Sequence, residues 1–68
     1  MQKYVERMIT EQKDLEGKIK RAKNAIESNP YDMNKTQKIL LSQQIEYMKK
    51  YLDILNQRIE YEIKEKSN

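Results

Sequence analysis

The chain contains neither cysteine nor histidine among its 68 residues. Without cysteine it can form neither disulfides nor thiolate zinc sites. Without histidine it lacks the Ser–His and Cys–His nucleophile pairs and the usual general base near neutral pH. We therefore expect a protein that is not an enzyme and that uses neither a metal nor another cofactor.

Long hydrophobic runs are also missing. The longest is Ile39-Leu40-Leu41, which is far short of the ~20 apolar residues that a membrane-spanning helix needs. Residues 1–7 lack the apolar core of a signal peptide. We therefore expect no membrane partner and an intracellular location.

No single sign of charge dominates the chain. It has 14 basic and 11 acidic residues, a formal net charge of +3, and the two signs are mixed along the chain in the way typical of a solvated helical surface. The local excess at Lys18, Lys20, Arg21 and Lys23 would spread around more than half of a helix. A nucleic-acid partner is therefore the least favoured of the binding functions.

Only one glycine and one proline interrupt the chain, and this composition predicts helix throughout. Apolar residues recur in steps of three and four along two stretches, which is the pattern of a heptad seam. Gln12 occupies one position of the first seam. The two seams comprise Val5, Met8, Leu15, Ile19, Ala22 and Ile26, and then Leu41, Ile45, Met48, Leu52, Leu55, Ile59 and Ile63.

One short break separates the two stretches. Pro30 cannot continue a helix and moves Asn29 out of the helical region, while Asn34 and Gln37 have the spacing of a capping box. The sequence therefore predicts an all-α fold, an antiparallel two-helix hairpin that occupies residues 1–68 as a single unit. Its helices are expected at about 2–28 and 34–66, with a turn at 29–33.

A second stripe lies beside the seam of the second helix. A single two-helix seam buries apolar surface on only one side of each helix, which is little for a chain of this size. The stripe would also be an unusual apolar strip if water covered it. We therefore expect the hairpin to be a protomer of a larger assembly. The stripe comprises Leu40, Gln44, Tyr47, Tyr51, Ile54, Arg58 and Tyr61.

Two interpretations of Arg58 are open. The simpler one is an ion pair with Glu62 four residues later, or a stem that lies over the core. The functional one is a contact with an anion in a groove between subunits, because the planar guanidinium binds phosphate oxygens in pairs. Tyr51 is either a packing residue or a flat surface for a base.

The first helix should bring further candidates to the same end of the hairpin. In an antiparallel pair, Tyr4 and Arg7 should lie near Arg58 and Tyr61. Two arginines and two or three tyrosines at one end would form a site for the phosphate and base of a nucleotide.

The stretches ERMITEQKDLEGKIKRAKNAI (residues 6–26) and QKILLSQQIEYMKKYLDILNQRI (residues 37–59) resemble a family of small phage hairpin proteins. Members of that family sequester nucleotide immune signals: anti-CBASS sponges take cyclic oligonucleotides, and anti-Thoeris sponges take cyclic ADP-ribose isomers. The positions that carry the resemblance are Glu6, Arg7, Met8, Ile9, Glu11, Leu15, Lys18, Ile19, Gln37, Leu40, Leu41, Gln44, Met48, Tyr51, Ile54, Leu55, Arg58 and Ile59.

The resemblance implies a homo-oligomer, a hexamer of hairpins, in the host cytoplasm. It would bind a cyclic nucleotide second messenger between protomers without cleaving it. The residues that carry over as ligand-binding candidates are Arg7, Lys18, Tyr51 and Arg58, and the antiparallel geometry adds Tyr4 and Glu62. The alternative is a structural or adaptor hairpin that binds another protein through the same stripe.

Overall fold

In the computed structural model, which describes residues 3–66 and the side chains of residues 3–65, the chain forms two α-helices. Helix α1 spans Lys3–Ser28 and helix α2 spans Lys35–Lys66. They pack against each other as a rod that measures 51 × 16 × 14 Å. The predicted all-α two-helix hairpin is confirmed. Residues 1, 2, 67 and 68, which the predicted unit includes, lie outside the described residues.

The core lies along the two predicted seams and consists of two clusters of apolar side chains. The cluster nearer the termini comprises Val5, Met8, Leu55 and Ile59. The cluster nearer the turn comprises Leu15, Ile19 and Ile45, with Ala22, Ile26, Leu41, Met48 and Leu52 partly buried against it. Because the buried residues recur every three or four positions, each helix buries one face and exposes the others.

A polar contact separates the two clusters. The Gln12 side-chain amide donates a hydrogen bond to Asn56 Oδ1 at 2.6 Å, and both side chains are partly buried. Gln12 thus occupies its seam position with a partner on α2. A slip of either helix by one turn would leave two amides unsatisfied, so this contact fixes the register of the hairpin.

The expected seam position of Ile63 is wrong, since its side chain is 44% exposed. One turn earlier, Ile59 packs against Val5 and Met8 near the start of α1.

The connection between the helices is closed by asparagine side chains. Asn29 has a positive φ of 46°, which asparagine tolerates better than most residues, and its Oδ1 accepts the Met33 amide at 2.7 Å. The predicted capping box is confirmed, because Asn34 Oδ1 accepts the Gln37 amide and Gln37 Oε1 accepts the Asn34 amide. As the capping residue, Asn34 precedes the helix, which begins at Lys35.

Within the part of the chain that the structure describes, neither helix has the length and apolarity needed to cross a membrane. The intracellular location stays a prediction.

Candidate ligand-binding site

Tyr4, Arg58 and Glu62 meet at the end of the hairpin where α1 begins, and we call them the terminal cluster. The Tyr4 hydroxyl lies beside the Glu62 carboxylate. This hydrogen-bonding neighbour, followed by partial desolvation, raises the pKa of Tyr4 above its ordinary value of 10.0, while the Arg58 charge acts in the opposite direction. This effect of the Arg58 charge agrees with the expectation that Tyr4 and Arg58 lie at the same end of the hairpin.

The Arg58 guanidinium does not form the ion pair with Glu62 that the four-residue spacing allows. Within residues 3–65, the ion pair that forms is the one between Lys49 and Glu46. Arg58 is exposed, and Glu62 is partly buried beside Tyr4. The guanidinium is therefore available to an external anion.

A second group of candidates lines a groove between the helices, closer to the middle of the rod. Arg7, Lys18 and Tyr51 lie on the walls of this groove, which encloses about 310 Å³. Leu15 belongs to the same lining and is buried. We call it the central groove. It brings two cations and one aromatic ring to a single open cavity.

The central groove also contains residues that were not among the sequence candidates. Thr10, Glu11 and Asp14 line it together with the two cations. Arg7, Glu11, Asp14 and Lys18 follow one another in steps of four, three and four, so the heptad rule places them on one side of α1. That spacing is the sequence feature that could have identified Glu11 and Asp14 as residues of the site.

The six candidates thus form two groups along one side of the hairpin. Arg7 lines the central groove with Tyr51. Tyr51 and Arg58 are seven residues apart on α2, which is roughly 10 Å along the helix axis. One elongated ligand, or a ligand shared with a second copy, could contact both groups.

An exposed strip of large side chains follows α2 next to these two groups. Leu40, Tyr47, Ile54 and Tyr61 are seven residues apart in succession, and each is more than half exposed, at 59, 70, 56 and 63%. The Lys50 ammonium lies 5.4 Å from the centre of the Tyr47 ring. We call these four residues the outer strip. Its exposure agrees with the second stripe inferred from the sequence.

Among the residues that the structure describes, no group of three or more Asp and Glu side chains could hold a metal ion. The residues of the site carry cations, carboxylates, hydroxyls and aromatic rings.

Comparison with known proteins gives one family. The family model described as Sequestin matches residues 2–61, a range that includes every candidate except Glu62. No curated protein and no solved structure matches the chain.

Proposed function

Because the chain belongs to the Sequestin family, we propose that it sequesters a small ligand, and specifically a cyclic nucleotide immune signal. The signal would be a cyclic di- or trinucleotide or a cyclic ADP-ribose isomer. The protein would act as a phage anti-defence factor in the host cytoplasm, where binding lowers the free concentration of the signal and keeps the host effector inactive.

The observation that carries this proposal is the central groove. Arg7 and Lys18 supply charge for phosphate groups, and Tyr51 supplies a flat ring on which a base can stack. Arg58, which lies seven residues after Tyr51 on α2, adds a further cation. The groove and the terminal cluster together offer cations for the phosphate groups and an aromatic ring for the base of a nucleotide.

The ligand would be bound without being cleaved. The chain has no histidine or cysteine, and the acids of the site lie among arginine, lysine and tyrosine side chains, which suit binding. Sequestration also requires no chemistry, because a bound signal is already removed from the pool that the effector sees.

The exposed site suggests that copies of the hairpin pack together around the ligand. The central groove is open to solvent, and the outer strip leaves two tyrosines, a leucine and an isoleucine in water. Packing of these strips would bury apolar surface and enclose the ligand between protomers. We propose a homo-oligomer, a hexamer, as the active form.

Calorimetric titration of the protein with a panel of cyclic di- and trinucleotides and cyclic ADP-ribose isomers tests the proposal. We expect saturable binding of at least one member, and chromatography after heat denaturation should recover that ligand intact. A folded protein that gives no heat with any member of the panel contradicts the proposal. Recovery of a hydrolysed ligand contradicts the non-cleaving mechanism.

The alternative function is that of an adaptor hairpin for another protein. The outer strip favours it, because a protein partner could cover this strip as readily as a second copy of the chain could. Arg58→Ala distinguishes the two functions. Under sequestration the variant loses about tenfold in nucleotide affinity, whereas Lys13→Ala, an equal charge change at another exposed position, has little effect. An adaptor predicts that Arg58→Ala alters assembly or partner capture and leaves nucleotide behaviour unchanged.

A further inference from the structure

The central groove carries two acids whose presence a phosphate site does not explain. Going along α1, its charged residues are Arg7, Glu11, Asp14 and Lys18. The signs therefore run positive, negative, negative, positive, and the formal charge of the groove sums to zero. A site built only to attract an anion would not place two carboxylates between its cations.

The ordinary explanation of this pattern is two ion pairs on the helix surface. Arg7 with Glu11, and Asp14 with Lys18, have the four-residue spacing at which helical ion pairs form. In the part of the chain that the structure describes, none of these four side chains takes part in an ion pair. All four residues line the open groove, and their charges are not neutralised by one another in ion pairs.

The cations and the acids of the groove occupy different positions along α1. Arg7 and Lys18 are eleven residues apart, so their backbone positions are roughly 16 Å apart along the axis. Glu11 and Asp14 lie between them, roughly 4.5 Å apart. Tyr51 faces this stretch from α2, and Thr10, whose hydroxyl donates to the Glu6 carbonyl at 3.1 Å, lines it too.

Each group recognises a different part of a nucleotide. Cations bind phosphate oxygens. Carboxylates accept hydrogen bonds from ribose hydroxyls and from the exocyclic amino groups of bases. A bare phosphate chain offers no donors, and it would meet two like charges between the cations.

We infer that Glu11 and Asp14 are ligand-binding residues that read the ribose hydroxyls or base amino groups of the nucleotide, and so make the groove select a nucleoside-containing anion over a bare polyanion. This inference rests on the proposed function, because it assigns the part of the ligand that lies between the cations. It also explains how a chain with a net charge of +3 avoids filling its site with inorganic polyphosphate or nucleic acid.

The double variant Glu11→Gln, Asp14→Asn tests the assignment, with tripolyphosphate and a cyclic dinucleotide that binds the wild-type protein as probes. Removing the two charges should weaken binding of the cyclic dinucleotide by about tenfold or more and should tighten binding of tripolyphosphate. The matched control is Glu16→Gln, Glu60→Gln, which removes the same charge from two exposed positions outside the groove. It should leave the ratio of the two affinities close to the wild-type value.

The outcomes separate the two proposals. If the double variant binds both probes more tightly, or if both affinities stay unchanged, the acids do not read the nucleoside and this inference is wrong, while the proposed function stands. If the wild-type protein binds tripolyphosphate but no nucleotide of the panel, or neither, both proposals are wrong. Circular dichroism of each variant establishes that the helices are retained.

Discussion

At the residue scale, the terminal cluster sets the ionisation of one tyrosine. Because the hydrogen bond to Glu62 raises the pKa of Tyr4, the neutral phenol is favoured in the folded protein. The resulting stabilisation is present below the unfolded-state pKa of about 10 and is lost as the pH rises through the higher folded-state value. The effect on stability is small because Tyr4 is 41% exposed.

The two neighbours of Tyr4 should move this pKa in opposite directions. Glu62→Gln removes the carboxylate that raises the pKa of Tyr4, so the value should fall towards 10. Arg58→Ala removes the charge that lowers it, so the value should rise further. An NMR titration that follows the Tyr4 ring measures both shifts.

Glu60→Gln is the control for this titration, since it removes an exposed acid two residues before Glu62 and should leave the pKa of Tyr4 unchanged. Equal shifts for Glu60→Gln and Glu62→Gln would mean that the cluster does not form in solution.

At the scale of the helices, the Gln12–Asn56 hydrogen bond is the contact that fixes how α1 and α2 are aligned. Gln12→Ala and Asn56→Ala should each lower the free energy of unfolding by ~1–2 kcal/mol, because each leaves a partly buried amide without its partner. The double variant should lose less than the sum of the two. Chemical denaturation of the four proteins gives the coupling energy as a double-mutant cycle.

Replacing both amides by leucine is the complementary test. Gln12→Leu, Asn56→Leu joins the two core clusters into one apolar seam, and the melting temperature should stay the same or rise. A large loss of stability in this variant, or strictly additive losses in the alanine cycle, would contradict the role assigned to the hydrogen bond.

The helices themselves follow closely from the sequence, because the signals that define them are local. The steps of three and four predict which faces meet, and Asn34 with Gln37 marks the start of α2. The exposure of Ile63 could not be read from its spacing, since the heptad pattern places a residue on a face of the helix but does not say how deeply it is buried there.

The site was harder to predict than the helices because its groups are long side chains. A helical wheel places Tyr4, Arg7, Tyr51 and Arg58 on one side of the hairpin, but their backbone positions do not decide which charged ends meet. In the structure, Arg7 and Tyr51 line the central groove, while the Glu62 carboxylate and the Arg58 charge act on Tyr4. Glu11 is a candidate binding residue because it lines that groove, and its spacing in the sequence alone does not show this.

At the scale of the whole molecule, the hairpin has an exposed outer strip that one copy cannot cover. If copies pack through this strip, light scattering should give a mass near that of six chains, about 50 kDa for a chain of 8.3 kDa. Ile54→Glu places a charge in the middle of the strip and should reduce this mass. Ser42→Glu adds the same charge at an exposed position on the other side of α2 and should leave it unchanged.

A wild-type mass of 8.3 kDa at micromolar concentration would contradict this assembly. An unchanged mass for Ile54→Glu would instead mean that another surface holds the copies together.

The most direct test of the whole account is sedimentation velocity of the protein mixed with a fluorescent cyclic dinucleotide and, separately, a fluorescent cyclic ADP-ribose analogue. We expect at least one of these ligands to sediment with a protein species several times heavier than one chain, and heating to release it intact. A folded single chain that sediments apart from both ligands would contradict the claim that copies of this hairpin assemble and capture a nucleotide signal.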